Sequence, residues 1–208
     1  MTYKECLDYI RSDYYRIRGK KVGILKMLLT TAMEEGFRFL FWFRLSNCDN
    51  LFLGGVSRIL YRIIGSNLRI SIQRSTKIGY GFKIAHGGPI VINASAIIGD
   101  NVDIYQYTTI GSSFFHAAQI GNNVYIGPSV CIVEDVKIGD GSTIGAGSVI
   151  VKDVEEGCTV AGNPAKVISH KMPGRLVQCC WNREWNKYNN ESTNICYSSC
   201  IEWRVLSS

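Results

Sequence analysis

Residues 120–154 read IGNNVYIGPSVCIVEDVKIGDGSTIGAGSVIVKDV, and isoleucine returns there at every sixth position. This period fits neither the turn of an α-helix, about 3.6 residues, nor the two-residue alternation of an ordinary strand. It is the period of a hexapeptide β-helix, in which each unit supplies a short strand with one inward aliphatic side chain and then a turn. The repeating isoleucines are Ile120, Ile126, Ile132, Ile138, Ile144 and Ile150.

The repeat extends toward the N-terminus and is interrupted twice. A two-residue slip separates Ile90 from Ile92, and a ten-residue step separates Ile110 from Ile120, where residues 112–118 must bulge outward. Loops that leave a regular scaffold are where function concentrates, so the site is expected at these two breaks. The upstream isoleucines are Ile72, Ile78, Ile84, Ile90, Ile92, Ile98, Ile104 and Ile110.

Three hexapeptide units make one coil of 18 residues, so Ile120 is expected to stack on Ile138, and Ile126 on Ile144. The isoleucines then form continuous interior columns. The sequence therefore predicts a mainly β protein built on a parallel β-helix.

The chain divides into three zones. Residues 1–70 lack sustained two-residue alternation and space their apolar residues as helices do, so they are interpreted as a helical N-terminal segment. Residues 71–169 form the β-helix domain. Residues 170–208 lose the repeat and form an irregular C-terminal extension, whose aromatic residues predict partial order on the outside of the β-helix.

An aromatic run, FRFLFWFRL at residues 37–45, allows two interpretations. It can form a helix at a membrane surface, with Arg38, Arg44, Arg58 and Arg62 near the head groups. Alternatively, it packs its aromatic side chains onto the next domain or a neighbouring subunit, and this second interpretation is favoured.

Composition narrows the function classes. The chain has 208 residues, 46% of them hydrophobic, and a formal net charge of +6. This excess favours an anionic partner, such as a phosphorylated cofactor, an acidic polymer or a membrane face, but it is too scattered to indicate nucleic acid. No secretory signal or membrane span is apparent, so a cytoplasmic location is expected, possibly at the inner face of the membrane.

The eight cysteines are predicted to remain thiols. Cys179 and Cys180 are adjacent, and Cys196 and Cys200 are separated by three residues, so neither pair has the spacing of a zinc site. The sequence predicts no metal, and His170, which lies beyond the repeat, is interpreted as incidental.

The segment above, together with IGDNVDIYQYTTIG and the closing VAGNPAKVI, resembles the hexapeptide-repeat acyltransferases. The branch is that of the serine acetyltransferases and the O-acetyltransferases of capsular and exopolysaccharide synthesis, and the resemblance covers about residues 58–169. It implies a left-handed β-helix, a homotrimer with active sites in grooves between subunits, and acetyl-CoA as co-substrate without a metal.

The unit KIAHGGPIVI, directly before the slip, contains His86. A histidine titrates near neutrality and can take the proton from an attacking hydroxyl. The resemblance assigns the general base to His86, because His86-Gly87 matches the end of the family's Asp-His-Gly motif. The aspartate position is Ala85 here, which weakens the case for a serine acceptor.

The outward loop contains His116. The resemblance places it on the arginine of an Arg-His pair, where it would join the catalytic groups by contacting acceptor or cofactor. A solvent-exposed loop histidine is an equally open interpretation.

Cofactor contacts come from the resemblance as well. It implies that the pantetheine arm lies along turns at Pro128 and Ala146, which are one coil apart. The adenosine end would meet Val151, Lys152 and Lys166, where lysine pairs with phosphate. Gly111, with Ser112, is a further candidate that would shape the acyl site through backbone N–H groups.

Three functions stay open. The main expectation is transfer of acetyl from acetyl-CoA to a hydroxyl of a saccharide in envelope or capsular polysaccharide synthesis. Serine O-acetylation is the alternative, held back because a serine site needs counter-charges for an ammonium and a carboxylate. The third is a non-catalytic trimeric scaffold.

Overall fold

The structure is a computed structural model that describes residues 1–114 and 116–183. Four helices come first, and the rest of the chain coils into three parallel sheets that form the faces of a prism. The helices are α1 (Tyr3–Arg18), α2 (Ile24–Thr30), α3 (Glu35–Ser46) and α4 (Leu51–Leu68).

Each coil contributes one strand to each sheet in turn. Sheet I holds β1 (Ile70–Ile72), β4 (Ile90–Ile92), β7 (Thr108–Gly111), β10 (Cys131–Val133) and β13 (Val149–Ile150). Sheet II holds β2 (Lys77–Ile78), β5 (Ile97–Ile98), β8 (Gln119–Ile120) and β11 (Lys137–Ile138). Sheet III holds β3 (Lys83–Ala85), β6 (Asp103–Tyr105), β9 (Tyr125–Ile126), β12 (Thr143–Ile144), β14 (Thr159–Gly162) and the antiparallel β15 (Ala165–Ser169).

The predicted isoleucine columns are confirmed by the strand register. Ile120 pairs with Ile138 in sheet II, and Ile126 pairs with Ile144 in sheet III. The repeating isoleucines are buried along the prism axis, where each removes apolar surface from water. The three-sheet parallel arrangement agrees with a left-handed β-helix, and the predicted fold class is confirmed.

The two sequence breaks lengthen particular coils. Ile72 pairs with Ile92, so the first coil has 20 residues instead of 18. Ile110 pairs with Ile132, a spacing of 22 residues, and the extra residues form the loop between β7 and β8. The interior column continues across both breaks, so each insertion is accommodated outside the core.

Helix α3 packs directly on the first coil. A β-carbon at Gly36 would collide with the backbone carbonyl of Ile84, so glycine is what allows the start of α3 to approach β3. Phe39 and Phe43 join the core of the β-helix. Arg44 is buried and bonds to Asp13, with 2.8 Å between Arg44 Nε and Asp13 Oδ2.

The aromatic run at residues 37–45 is therefore an internal packing helix. The interpretation of this run as a membrane-surface helix is wrong, because its phenylalanines and Arg44 are buried between the other helices and the prism. Within the described residues, no helix is long and apolar enough to cross a membrane.

The start of the C-terminal extension packs outside the prism, as predicted. The backbone N–H of Trp181 donates to Asn101 Oδ1 at 2.7 Å, and its ring meets Tyr15 edge to face. Residues 184–208, which include Cys196 and Cys200, lie outside the described part. The six described cysteines are thiols, as predicted.

Candidate active site

The corners where the chain passes from sheet III to sheet I form one edge of the prism, here called the III–I edge. His86 follows β3, Pro128 follows β9 and Ala146 follows β12, so all three lie on this edge, with Pro128 two coils beyond His86 and Ala146 one coil beyond Pro128. The corners are joined by backbone hydrogen bonds, including Gly147 N–H to the Pro128 carbonyl at 2.9 Å. The predicted base and the predicted pantetheine contacts therefore share one continuous edge.

His86 projects from the first coil in an unusual backbone conformation. Its φ is 60°, a left-handed value that histidine adopts more readily than most residues but still at a cost. The side chain is exposed, and its ring centre is 5.9 Å from that of Tyr105 one coil further on. Tyr107 and Ser129 at other turns of the prism share this left-handed conformation, so what distinguishes His86 is its solvent-accessible imidazole at a sequence break.

A cleft of about 480 Å³ opens beside His86, between α3 and sheet III. Its lining includes Glu34 and Glu35 from the start of α3, Lys83 from β3, and Tyr105. The Glu35 carboxylate reaches Gly87, the residue after His86. Because the Glu34 carboxylate is paired with Arg18, the cleft presents the His86 imidazole, the Glu35 carboxylate and the Lys83 ammonium to one small volume.

Buried charges support the floor of this cleft. Asp103 is buried on β6 and accepts a hydrogen bond from Arg16 Nη1 at 3.0 Å, and its Oδ2 is 3.9 Å from Lys83 Nζ. Burial raises the pKa of Asp103, and the adjacent Arg16 and Lys83 cations oppose that rise. Arg16 lies closer to Asp103 than Lys83 does, so Asp103 pairs mainly with Arg16. The ammonium of Lys83 is therefore available to a ligand in the cleft, where its side chain is partly exposed.

Two tyrosines continue the III–I edge beyond His86. The rings of Tyr105 and Tyr125 are 5.1 Å apart. Burial, followed by the neighbouring Tyr105, raises the pKa of Tyr125 to about 12. Both phenols therefore stay neutral near pH 7, and the two rings form an aromatic surface that runs from the coil after His86 to the coil of Pro128.

The other predicted residues lie on a different edge, where the chain passes from sheet I to sheet II. Gly111 is the last residue of β7, and Lys152, next to Val151, follows β13, so both belong to this I–II edge. His116 is exposed in the loop between β7 and β8. Within one chain a strand of sheet I, roughly 10 Å long, separates these residues from His86.

Glu134 holds the start of that loop. Ser112 Oγ donates to Glu134 Oε2 at 2.8 Å, and the Ser113 N–H donates to the same carboxylate at 3.2 Å. The hydrogen bond from Ser112 is the main cause of the lowered pKa of Glu134. The loop's first turn is thus fixed by Glu134. Within one chain Gly111 and Ser112 lie on a different edge from His86, and their role in shaping the acyl site stays a prediction.

Lys166 lies on β15, paired with Ala161 of β14 in the last coil. Lys166 is exposed, and it lies in the coil that follows the one of Ala146. A long ligand that runs along the edge from His86 past Ala146 could contact Lys166 with its far end. Its role in binding the adenosine end stays a prediction.

One group in the described part has metal-ligating chemistry. Potential ligand atoms of Glu155, Cys158 and His170 lie within 4.8 Å of one another, with Cys158 Sγ 3.2 Å from His170 Nδ1. Burial raises the pKa of the Cys158 thiol, which disfavours the thiolate that metals bind. This group lies at the last coil, whereas His86 lies at the first, so it takes no part in the cleft.

Glu35 and Lys83 are the residues that sequence reasoning missed. Glu35 belongs to the helical segment, some fifty positions before His86, and no periodic signal links a helix start to a β-helix corner. Lys83 occupies an outward position of the repeat, where a lysine is ordinarily a solvated surface residue. The packing of α3 on β3, allowed by Gly36, brings Glu35 to His86 and encloses Lys83 in the same cleft.

A prism of hexapeptide coils is the architecture that the hexapeptide-repeat transferases share. Residues 117–152 match the family described as bacterial transferase hexapeptide (six repeats). The chain belongs to the hexapeptide-repeat acyltransferase superfamily.

The relatives are serine acetyltransferases. The chain is 34% identical over 117 residues to the enzyme of Synechococcus elongatus, covering 54% of this chain and 48% of the relative. It is 33% identical over 161 residues to that of Salmonella typhimurium, covering 75% of this chain and 59% of the relative. The chain thus spans about half the length of these curated relatives.

Solved structures agree in fold. The crystal structure of Neisseria gonorrhoeae serine acetyltransferase in complex with serine has a TM-score of 0.67 and 26% identity, covering 80% of this chain and 70% of that chain. A serine acetyltransferase solved in complex with CoA has a TM-score of 0.66 and 25% identity, covering 80% of this chain and 70% of that chain. These similarities do not support the expected saccharide acceptor.

Proposed function

We propose that this protein is an acetyl-CoA-dependent O-acetyltransferase that acts on the hydroxyl of L-serine. The observation that carries the proposal is the position of His86, which shares one cleft with Glu35 and Lys83 and begins the edge that carries Pro128 and Ala146. The serine acetyltransferases among the relatives support the same activity.

The reaction needs one base and no covalent enzyme intermediate. His86 takes the proton of the serine hydroxyl as its oxygen attacks the thioester carbonyl of acetyl-CoA. The tetrahedral intermediate collapses, the carbon–sulfur bond breaks, and the CoA thiolate receives the proton from the His86 imidazolium. The products are O-acetylserine and free CoA thiol.

The cleft supplies counter-charges for an amino acid. Glu35 can pair with the ammonium of serine, and Lys83 with its carboxylate, so desolvating the two charges of the substrate is offset. The sequence favours a saccharide because Ala85 and His116-Ala117 remove the charges of the family motif. That expectation does not include Glu35 from α3 and Lys83 from β3, which line the cleft. We therefore propose serine as the acceptor in place of a saccharide.

We further propose that the protein works as a homotrimer. His86 lies on the III–I edge and His116 lies on the I–II edge, so one chain does not bring them together. Where two prisms pack side by side, the III–I edge of one can face the I–II edge of the next. Lys152 and His116 would then reach the cleft of the neighbouring subunit.

The test is release of CoA thiol from acetyl-CoA with L-serine, followed over a range of serine concentrations. Glu35→Gln removes the charge paired with the ammonium and is expected to raise the serine KM roughly ten- to a hundredfold. The matched control is Glu34→Gln, since Glu34 is occupied by Arg18 at 2.7 Å and is expected to change the serine KM little.

Two outcomes would count against the proposal. If acetyl-CoA is bound but saturating L-serine releases no thiol, serine is not the acceptor. If CoA does not bind at all, the non-catalytic scaffold is favoured instead.

A further inference from the structure

We propose that helix α4 docks this protein on an anionic membrane surface. The proposal is independent of the acetyltransferase reaction. It rests on an outward apolar stripe, an arginine cluster beside that stripe, and a segment of fifty residues, 50–99, without aspartate or glutamate.

The stripe consists of Phe52, Val56, Ile59 and Ile63. Their spacing of four, three and four residues places them on one face of a helix. Phe52 is 82% exposed, Ile59 62% and Ile63 52%, so this face is turned away from the core. The opposite face, with the buried Gly54, Ser57 and Gly65, packs on α3 and the first coil.

The arginine cluster consists of Arg58, Arg62 and Arg74. Arg62 and Arg74 line an open cleft of about 490 Å³ beside α4. Arg74 Nε is buried without a hydrogen-bond partner, and burial, followed by the nearby Arg58 and Arg62, lowers the pKa of Arg74. No salt bridge to any of the three occurs within residues 1–114 and 116–183. The cluster therefore offers an unoccupied position for an anion.

From α4 to residue 99 the chain has no negative charge that could compensate the cluster, and Asp49, just before the helix, is the nearest carboxylate in sequence. Residues 50–99 include no aspartate or glutamate, but they contain the three clustered arginines as well as Arg69, Lys77 and Lys83. An amphipathic helix with a basic flank is the usual signature of binding in the plane of an anionic bilayer. Phosphate oxygens would meet Arg62 and Arg74 while Phe52 and Ile59 enter the acyl boundary.

A second copy of this chain fits the same face less well. In a two-fold contact across α4, the same patch meets itself, so each arginine cluster would approach its own copy. Like charges brought together at an interface are unfavourable, and no carboxylate among the described residues pairs with these arginines to offset them. Lipid phosphates provide the opposite charge.

The experiment is co-sedimentation of the full chain with vesicles of phosphatidylcholine alone or phosphatidylcholine mixed with phosphatidylglycerol. We expect binding only to the mixed vesicles, weakened by added salt. Arg62→Gln with Arg74→Gln should weaken binding about thirtyfold, from about 1 kcal/mol per cation. Ile59→Ser with Ile63→Ser should weaken it at least as much, because apolar burial is lost.

Matched controls separate docking from general effects. Leu25→Ser with Leu29→Ser removes two equally exposed leucines of α2, 70% and 65% exposed, and should leave vesicle binding unchanged. Lys20→Gln with Lys26→Gln removes two cations away from α4 and should change binding less than threefold. Thermal unfolding of each variant checks that the fold is intact.

The proposal is overturned if the wild-type chain does not bind the mixed vesicles. It is also overturned if the variant with Ile59→Ser and Ile63→Ser binds the mixed vesicles as the wild type does. The same holds if the only effect of these two substitutions is a smaller molar mass of the protein by light scattering. That last result would assign the stripe to contacts between copies of the chain.

Discussion

The carboxylate of Glu35 lies directly against Gly87, with its Oε2 atom 2.7 Å from the point where a β-carbon at position 87 would stand. Gly87 follows His86 and has a φ of 69°, so both space and backbone conformation favour glycine there. The start of α3 is thereby held next to the residue proposed as base. This contact ties the helical segment to the chemistry of the first coil.

Gly87→Ala is expected to displace the Glu35 carboxylate and to strain the turn that carries His86. We predict a higher serine KM and lower kcat, with little change in the acetyl-CoA KM. Steady-state kinetics with each substrate varied separately measures this. The control is Gly55→Ala in α4, where a β-carbon meets nothing within 4 Å and the change should be neutral or stabilise by about 0.5–1 kcal/mol. A Gly87→Ala enzyme with wild-type constants would show that the contact has no role.

His86→Asn is expected to separate chemistry from binding. The amide cannot take a proton from serine, so kcat should fall on the order of a hundredfold or more. CoA affinity, measured by calorimetry, should stay within about twofold because the proposed cofactor contacts lie on later coils. If His86→Asn keeps wild-type kcat, another base operates, and His116 would be the next residue to substitute.

Lys152→Gln and Lys166→Gln are expected to show the reverse pattern. Removing a cation near the phosphates should raise the acetyl-CoA KM several-fold, more strongly at low salt, with a smaller change in kcat. Lys137→Gln is the matched control, because Lys137 is an exposed lysine of sheet II. Equal effects of all three substitutions would indicate nonspecific electrostatics instead of a binding site.

The interior of this protein was predictable from the sequence because a β-helix repeats one local rule. Each isoleucine of the repeat occupies an inward position set by its own hexapeptide, so the 18-residue spacing of Ile126 and Ile144 is enough to pair them. His86 and the outward loop could be located for a related reason, since a break in a regular pattern is itself visible.

The remaining part of the site could not be predicted because it depends on packing between distant segments. Nothing in the sequence around Glu35 indicates that α3 begins over β3; this follows from the absence of a side chain at Gly36. Arg44 illustrates the converse. Its aromatic neighbours made it a candidate for a membrane surface, whereas Asp13, about thirty residues earlier, buries it in an ion pair.

The register of the β-helix can be tested at adjacent positions. Ile138 is 2% exposed in sheet II, so Ile138→Asp places a carboxylate in an apolar column without a partner. We predict a loss of several kcal/mol in the free energy of unfolding, measured by urea denaturation. Lys137→Gln changes an outward side chain of the same strand and should cost less than about 0.5 kcal/mol. A cooperative Ile138→Asp protein of wild-type stability would contradict the register.

The final prediction concerns Arg16 and Asp103, whose buried ion pair joins α1 to β6 beneath the cleft. Arg16→Met leaves the Asp103 carboxylate buried with only Lys83, 3.9 Å away, as a partner. Breaking such a pair typically costs about 3–5 kcal/mol. Arg16→Met combined with Asp103→Asn removes both charges and should be more stable than the single variant.

The pH dependence gives this pair a second readout. Burial already raises the pKa of Asp103, and loss of Arg16 removes the main opposing influence, so its folded-state pKa rises further. A carboxyl group whose folded pKa is raised favours the folded state at low pH and loses that contribution as pH rises through the folded pKa. Arg16→Met should therefore be destabilised most near neutral pH and approach the wild type in acid, whereas the double variant should show no such trend. If both variants lose the same free energy of unfolding at every pH, the charge of Arg16 is not what stabilises the fold. The contribution of Arg16 would then come from the packing of its side chain.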